Sequence, residues 1–233
     1  MATDLIFDFF GTLVQYQAGR FHGEPYRRTH GYLAGLGVDL PYDQFAARFA
    51  AAFDELESES KRTHSEFHMR EVGRRFLNEL DIRFSLPELD RFIDLYCAEW
   101  DRGTLHLDGI AALLERLAAR YRLSIISNTH YPPLLHRNLA AMGVAGRFAQ
   151  VVTSVEVGTR KPHPAIFRHA LDALGLQPDA AIYVGDSYAD DWAGARAAGL
   201  RCILIDPAGQ HRDAAGWRVG SLFELEDFPL LRP

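Results

Sequence analysis

The chain has 233 residues, 48% of them hydrophobic and 24% charged, a globular balance that excludes disorder, collagen-like repeats and a small disulfide-built scaffold. At roughly 150 residues per domain, this length holds one large domain or a core with a substantial insertion. Lys and Arg number 25 against 31 Asp and Glu, a formal charge of −6, and the basic residues are scattered, so a small soluble ligand is expected and neither nucleic acid nor an anionic membrane is.

Residues 5–9 form an apolar run around Asp8 and predict a buried parallel strand. More than a hundred residues pass before the next strand-like run, whereas a parallel crossover needs only a dozen or more. Something is therefore inserted. Within it three stretches recur at helical spacing: Phe45, Phe49, Phe53 and Leu56; Met69, Val72, Phe76, Leu77 and Leu80; Leu89, Phe92, Ile93, Tyr96 and Trp100. No strand-like run lies among them. The reading is a helical bundle over residues 15–99, inserted into a core made of residues 1–14 and 100–233. A bundle attached just past a strand's C-terminal end is expected to work as a lid over the edge where open α/β sheets bind ligands.

Beyond residue 105, helical and strand patterns alternate. Ile110, Leu113, Leu114, Leu117 and Tyr121 share one face; residues 123–126 read as a strand; Leu134, Leu135, Leu139 and Met142 share the next helical face. Residues 150–153 follow as a strand, then Ile166, Phe167, Ala170, Leu171 and Leu174 as a helix, then strands at 181–184 and 202–205. Pro164 suits a first helical turn, and Gly143, Gly175 and Gly199 stand where C-terminal caps belong. The fold class is a doubly wound α/β parallel sheet with an inserted α-helical unit.

Polar residues punctuate the strand ends: Asp8 in the first, Ser127 and Asn128 after the second, Lys161 after the third, Gly185 and Asp186 after the fourth. In a parallel sheet these ends share one edge. A carboxylate there can serve as nucleophile, a second carboxylate can hold a hard cation, and a lysine and a hydroxyl can meet a developing anion. Each residue also has a plainer use. Ser127 and Asn128 can cap a helix, Lys161 can be a solvated loop lysine, and Asp190 and Asp191 can favour a helix N-terminus.

The runs Asp8 to Leu13, Ser127-Asn128, Arg160-Lys161-Pro162 and Gly185 to Asp191 resemble, in order, the four signature motifs of the haloacid dehalogenase (HAD) superfamily. The insertion falls where that family carries a helical cap. The resemblance implies a hydrolase with Asp8 as nucleophile, Ser127 and Lys161 binding the transferred group, and Phe10, Gly11, Thr12 and Asn128 around the substrate. It implies Mg²⁺ held by Asp8, the Phe10 carbonyl and Asp186, with Asp191 as an outer support; Asp190 is an alternative to its neighbour.

The family's phosphatases usually carry a second aspartate two residues after the nucleophile, and here that residue is Phe10. Phenylalanine moves no proton, so general acid–base help of typically 10²–10⁴-fold must come from elsewhere, for example His130. An aromatic there resembles the family's dehalogenases, which act without metal and typically carry serine in place of Asp186. Asp8 and Asp186 close together are costly unless a metal cation or Lys161 compensates; the reading taken is bound Mg²⁺, and the balance favours a Mg²⁺-dependent phosphatase of a small phosphorylated metabolite. The alternatives are a 2-haloacid dehalogenase, and a protein that keeps the fold but binds a ligand or partner without turnover.

In the insertion, Lys61, Arg62, His64 and His68 make a basic cluster, with the two histidines spaced as metal ligands on a helix can be; a solvated helix face is the preferred account. Arg20, His22, Arg27 and Arg28 form a second such group. Phe45, Phe49 and Phe53 read as bundle core. Cys97 and Cys202 read as packed thiols of a reducing compartment, and no apolar run approaches the ~20 residues of a membrane span. The chain's start lacks the pattern of a secretory leader, so a cytoplasmic protein is expected.

Overall fold

The computed structural model describes residues 2–214 and 216–231. The chain divides into two compact units, Met1–Gln15 with Leu105–Pro233, and Tyr16–Thr104.

The first unit is built on a six-stranded parallel sheet. In chain order its strands are β1 (Asp4–Phe7), β4 (Arg122–Ser127), β5 (Phe148–Thr153), β6 (Ala181–Gly185), β7 (Arg201–Ile205) and β8 (Arg218–Val219); two short strands, β2 (Val14–Tyr16) and β3 (Thr104–His106), pair apart from it. Spatial order is β5-β4-β1-β6-β7-β8. The chain thus builds outward from β1 on one side and then returns to start again at β6 on the other, which makes the gap between β1 and β6 a topological switch point. The register aligns Phe7 with Ile125 and with Val184, so Asp8, Ser127 and Gly185 end their strands at one edge.

Every residue of β1 is buried, as expected of a parallel strand covered on both faces. Side chains alternate across it. Leu5 and Phe7 join Leu123, Ile125, Ile182 and Val184 under α5 (Ile110–Ala118) and α6 (Pro132–Ala141). Ile6 joins Ile126, Tyr183, Cys202 and Leu204 under α8 (Pro164–Leu174), which follows the short α7 (Ser154–Val157), and under α9 (Gly194–Ala197). Pro164 opens α8, where His163 Nδ1 accepts from the Ala165 amide, and Gly175 closes it in the left-handed conformation. Both cysteines are buried and unbridged.

The second unit contains α1 (Arg27–Gly35), α2 (Tyr42–Thr63), α3 (Met69–Glu79) and α4 (Leu86–Trp100). Phe45, Phe49, Phe76 and Phe92 are buried together, with Phe76 stacked on Phe92 at 5.8 Å. Capping boxes begin two helices, His68 with Glu71 at α3 and Ser85 with Glu88 at α4. The buried Glu99 carboxylate accepts from the Thr29 amide and hydroxyl at 2.8 and 2.7 Å and from the Arg28 amide at 3.0 Å. It satisfies donors at the start of α1 that no local side chain caps.

Three sequence expectations need correction in this unit. Residues 15–99 begin within β2, a three-residue strand too short to show a period. A fourth helix, α1, precedes those read from the sequence; it buries only Thr29 and Leu33, too few to print an apolar stripe. His64 and His68 do not share a helix: His64 ends α2 in the left-handed conformation, φ 59°, and His68 caps α3. Lys61 and Arg62 pair with Glu57 and Glu59 of their own helix, so their charge is largely met locally. No helix among the described residues is long and apolar enough to cross a membrane.

Candidate active site

Asp8 follows β1 directly, and its amide still donates to the Val184 carbonyl at 2.8 Å, which fixes the residue at the switch point. The chain then turns tightly, with the Leu13 and Val14 amides returning to the Phe9 carbonyl and Gly11 N donating to Val14 O. Gly11 has φ +96°, and a Cβ there would lie 2.6 Å from Asp186 Oδ2, so both conformation and space demand glycine. The Thr12 hydroxyl donates to Asp186 Oδ1 at 2.8 Å. Gly11 and Thr12 therefore seat the Asp186 carboxylate; Thr12, expected near substrate, is itself buried.

Ser127 and Asn128 end β4. They do not cap α6, whose preceding residue is Tyr131, without a side-chain cap. Instead the Asn128 amide spans the Lys161 backbone, accepting from its N–H at 2.8 Å and donating to its carbonyl at 3.1 Å. That grip holds the loop between α7 and α8. Ser127 is buried, with Oγ 3.4 Å from the Asn128 carbonyl.

Lys161 is no solvated lysine: its side chain is 3% exposed, and Nζ lies 2.6 Å from Asp8 Oδ1 and 2.7 Å from Asp191 Oδ1. Asp191 comes from a π-helical turn, Tyr188–Ala193, that follows β6. Its Oδ2 accepts from the Ser187 amide at 2.9 Å, and a Cβ at Gly185 would meet its Cγ at 2.4 Å. Of the two neighbours, Asp191 joins the carboxylate cluster, while the Asp190 amide is capped by Ser187 Oγ at 3.1 Å. Sequence reasoning missed Tyr183, whose hydroxyl accepts from Lys161 Nζ at 2.9 Å.

Carboxylate oxygens of Asp8, Asp186 and Asp191 lie within 4.8 Å of one another. Burial pushes the Asp8 carboxyl up, Asp191 and Asp186 push it further, and Lys161 pulls against them, leaving it at about 7. Asp186 is also raised, by desolvation and then by Asp191. Burial alone would lower Lys161, but Asp191 and Asp8 outweigh it and raise the ammonium's pKa. One lysine offsets one of three carboxylates, which leaves the charge of a divalent cation to balance. The donors are all hard oxygens, and oxygens around Mg²⁺ at about 2.1 Å are at most ~4.2 Å apart, so the set fits Mg²⁺ with small adjustment.

Phe10 is half-buried, edge-on to Phe9 at 4.9 Å and packed on the core beneath α5. No proton donor stands at its position.

A family model for haloacid dehalogenase-like hydrolases matches residues 5–199. The chain belongs to that family. It is 30% identical over 232 residues to a phosphoglycolate phosphatase from Rhodospirillum rubrum, covering 99% of this chain and 90% of that protein. It is 34% identical over 154 residues to a phosphoserine phosphatase from Thermus thermophilus, 64% of this chain and 61% of that protein. Among solved structures, a 2-haloacid dehalogenase from Pseudomonas syringae pv. Tomato DC3000 superposes with a TM-score of 0.73 at 23% identity over 98% of each chain, a likeness of fold. This HAD hydrolase therefore combines a core shared with a dehalogenase and sequence relatives that are phosphatases.

Proposed function

We propose that this HAD hydrolase is a Mg²⁺-dependent phosphatase of a small phosphorylated metabolite, with Asp8 as its nucleophile. A carboxylate oxygen of Asp8 forms a bond to phosphorus as the phosphorus–oxygen bond to the leaving group breaks. Water then attacks the aspartyl phosphate, releasing inorganic phosphate and free Asp8. Lys161 holds Asp8 Oδ1 and keeps the carboxylate oriented and partly neutralised. Ser127 and Lys161 are the candidates for meeting the transferred group. Mg²⁺ bound by Asp8, the Phe10 carbonyl and Asp186, with Asp191 beside them, would offset negative charge on the phosphoryl oxygens.

The observation that carries this reading is the retained Asp186. Asp186, exposed itself, adds a third carboxylate beside the buried Asp8 and Asp191, a charge that a cation would offset and for which a metal-free displacement of halide from carbon has no use. Phe10 limits the chemistry: with no acid at that position, esters with good leaving groups are the natural substrates. Phe10 also sustains a second reading, the 2-haloacid dehalogenase, because halide departs without a proton. One assay separates them: hydrolysis of p-nitrophenyl phosphate and chloride release from 2-chloropropionate, each with Mg²⁺ and with EDTA. Phosphate release that requires Mg²⁺ supports the proposal, and chloride release in EDTA overturns it.

A further inference from the structure

Lys161 makes three contacts, and one of them is with a residue that the mechanism above does not use. Its Nζ lies 2.6 Å from Asp8 Oδ1, 2.7 Å from Asp191 Oδ1 and 2.9 Å from the Tyr183 hydroxyl. An ammonium has three N–H donors and no acceptor, so these contacts use all of them. At 3% exposure, an N–H deprived of its acceptor would be buried unsatisfied, a costly state.

Tyr183 is itself tightly constrained. Its ring is fully buried in β6 and meets Phe167 edge-to-face at 5.1 Å. The hydroxyl has one proton, and its two candidate acceptors are Asp191 Oδ1 at 3.0 Å and the Ile126 carbonyl at 3.3 Å. The nearer, charged acceptor takes it. Accepting from Lys161 and donating to Asp191, the phenol closes a ring of three groups and fixes the rotation of the ammonium about its last bond.

We infer that Tyr183 is a positioning residue: its hydroxyl holds Lys161 so that one N–H stays on the Asp8 carboxylate, and it affects turnover only through that lysine. This rests on the reading of Asp8 as nucleophile.

The chain's composition supplies the test. Lys61 and Lys161 are its only lysines, and Lys61 is 68% exposed at its side chain. With lysine labelled at ¹⁵Nζ, the wild-type protein should show one slowly exchanging ammonium signal, from Lys161. In Tyr183→Phe that signal should exchange at least roughly tenfold faster, the worth of about one hydrogen bond, and the melting temperature should fall by several degrees while the protein still folds. On p-nitrophenyl phosphate, kcat should fall about tenfold while KM changes less than about twofold. In a Lys161→Met background, adding Tyr183→Phe should cause no further loss.

Unchanged ammonium exchange, unchanged kcat, additive losses in the double variant, or a Tyr183→Phe protein that fails to fold would each overturn the inference. In the last case the hydroxyl would be holding the core and not the lysine. The spectrum needs no substrate. A wild type that does not hydrolyse the phosphate ester, yet loses its protected signal on Tyr183→Phe, would sink the phosphatase reading and keep this one.

Discussion

Replacing Lys161 with methionine isolates the electrostatics of the site from its chemistry. The change keeps most of the side chain's volume and removes the ammonium that lies within hydrogen-bond reach of both Asp8 and Asp191. Three carboxylates, with oxygens within 4.8 Å of one another, then face one another without it. Breaking a buried pair by removing one partner costs about 3–5 kcal/mol, and at 2–4 °C per kcal/mol for a chain of this size the melting temperature should fall by roughly 10 °C in EDTA at pH 8. The pH dependence has a definite sign. Asp8 already titrates near 7 with Lys161 present and rises further without it. A carboxyl whose folded pKa exceeds its unfolded value of 3.8 holds its proton more tightly in the folded state. Its stabilising effect is present at low pH and is lost as pH rises through the folded value. The gap between variant and wild type should therefore be small at pH 5 and widen by pH 8, read by circular dichroism melts. Adding Asp8→Asn and Asp191→Asn should restore much of the loss. A gap that is the same at both pH values would show that no ion pair of this kind exists.

Phe10→Asp supplies an acid where none stands; hydrolysis of alkyl phosphates should rise at least roughly tenfold relative to p-nitrophenyl phosphate, within the range of general acid catalysis, and an unchanged ratio would place the proton source elsewhere. Gly185→Ala drives a methyl to 2.4 Å from Asp191 Cγ, so urea unfolding should report a loss of about 1–3 kcal/mol. Asp206 accepts from the Gln210 and His211 amides and from Arg218. The His211 hydrogen bond, with the Arg218 and Gln210 bonds added, lowers its pKa to about 2. Its contribution to stability is present above the unfolded value of 3.8 and lost as pH falls toward 2. Asp206→Asn should accordingly lower the melting point at pH 7 and have a shrinking effect on acidification.

The sheet was legible because β1, β4, β6 and β7 are largely buried and print as short apolar runs, and the edge strand β5 still ends in buried Val152 and Thr153, whereas β2, β3 and β8, of two or three residues each, carry no period. Helix α8 was legible down to its ends, since Pro164 and Gly175 act locally. Helix α1 was not, because what starts it is the carboxylate of Glu99, some 70 residues away in the chain. At the site, residue types and motif order located the four segments. Spacing does not tell which side chain meets which: Asn128 and Thr12 look like substrate contacts in the sequence and serve in the structure to hold Lys161 and Asp186. Tyr183 sits between Ile182 and Val184 and reads as strand core. Its available signal was chemical, since a phenol on a buried aliphatic strand needs a partner for its hydroxyl.

If Asp8 is the nucleophile, it becomes covalently phosphorylated during turnover. Mass spectrometry of peptides from enzyme quenched with acid during turnover of p-nitrophenyl phosphate tests it directly. A phosphoryl adduct is expected on the peptide containing Asp8, absent from Asp8→Asn, which should also lose turnover. Turnover without any adduct on that peptide, or substantial activity in Asp8→Asn, would contradict it.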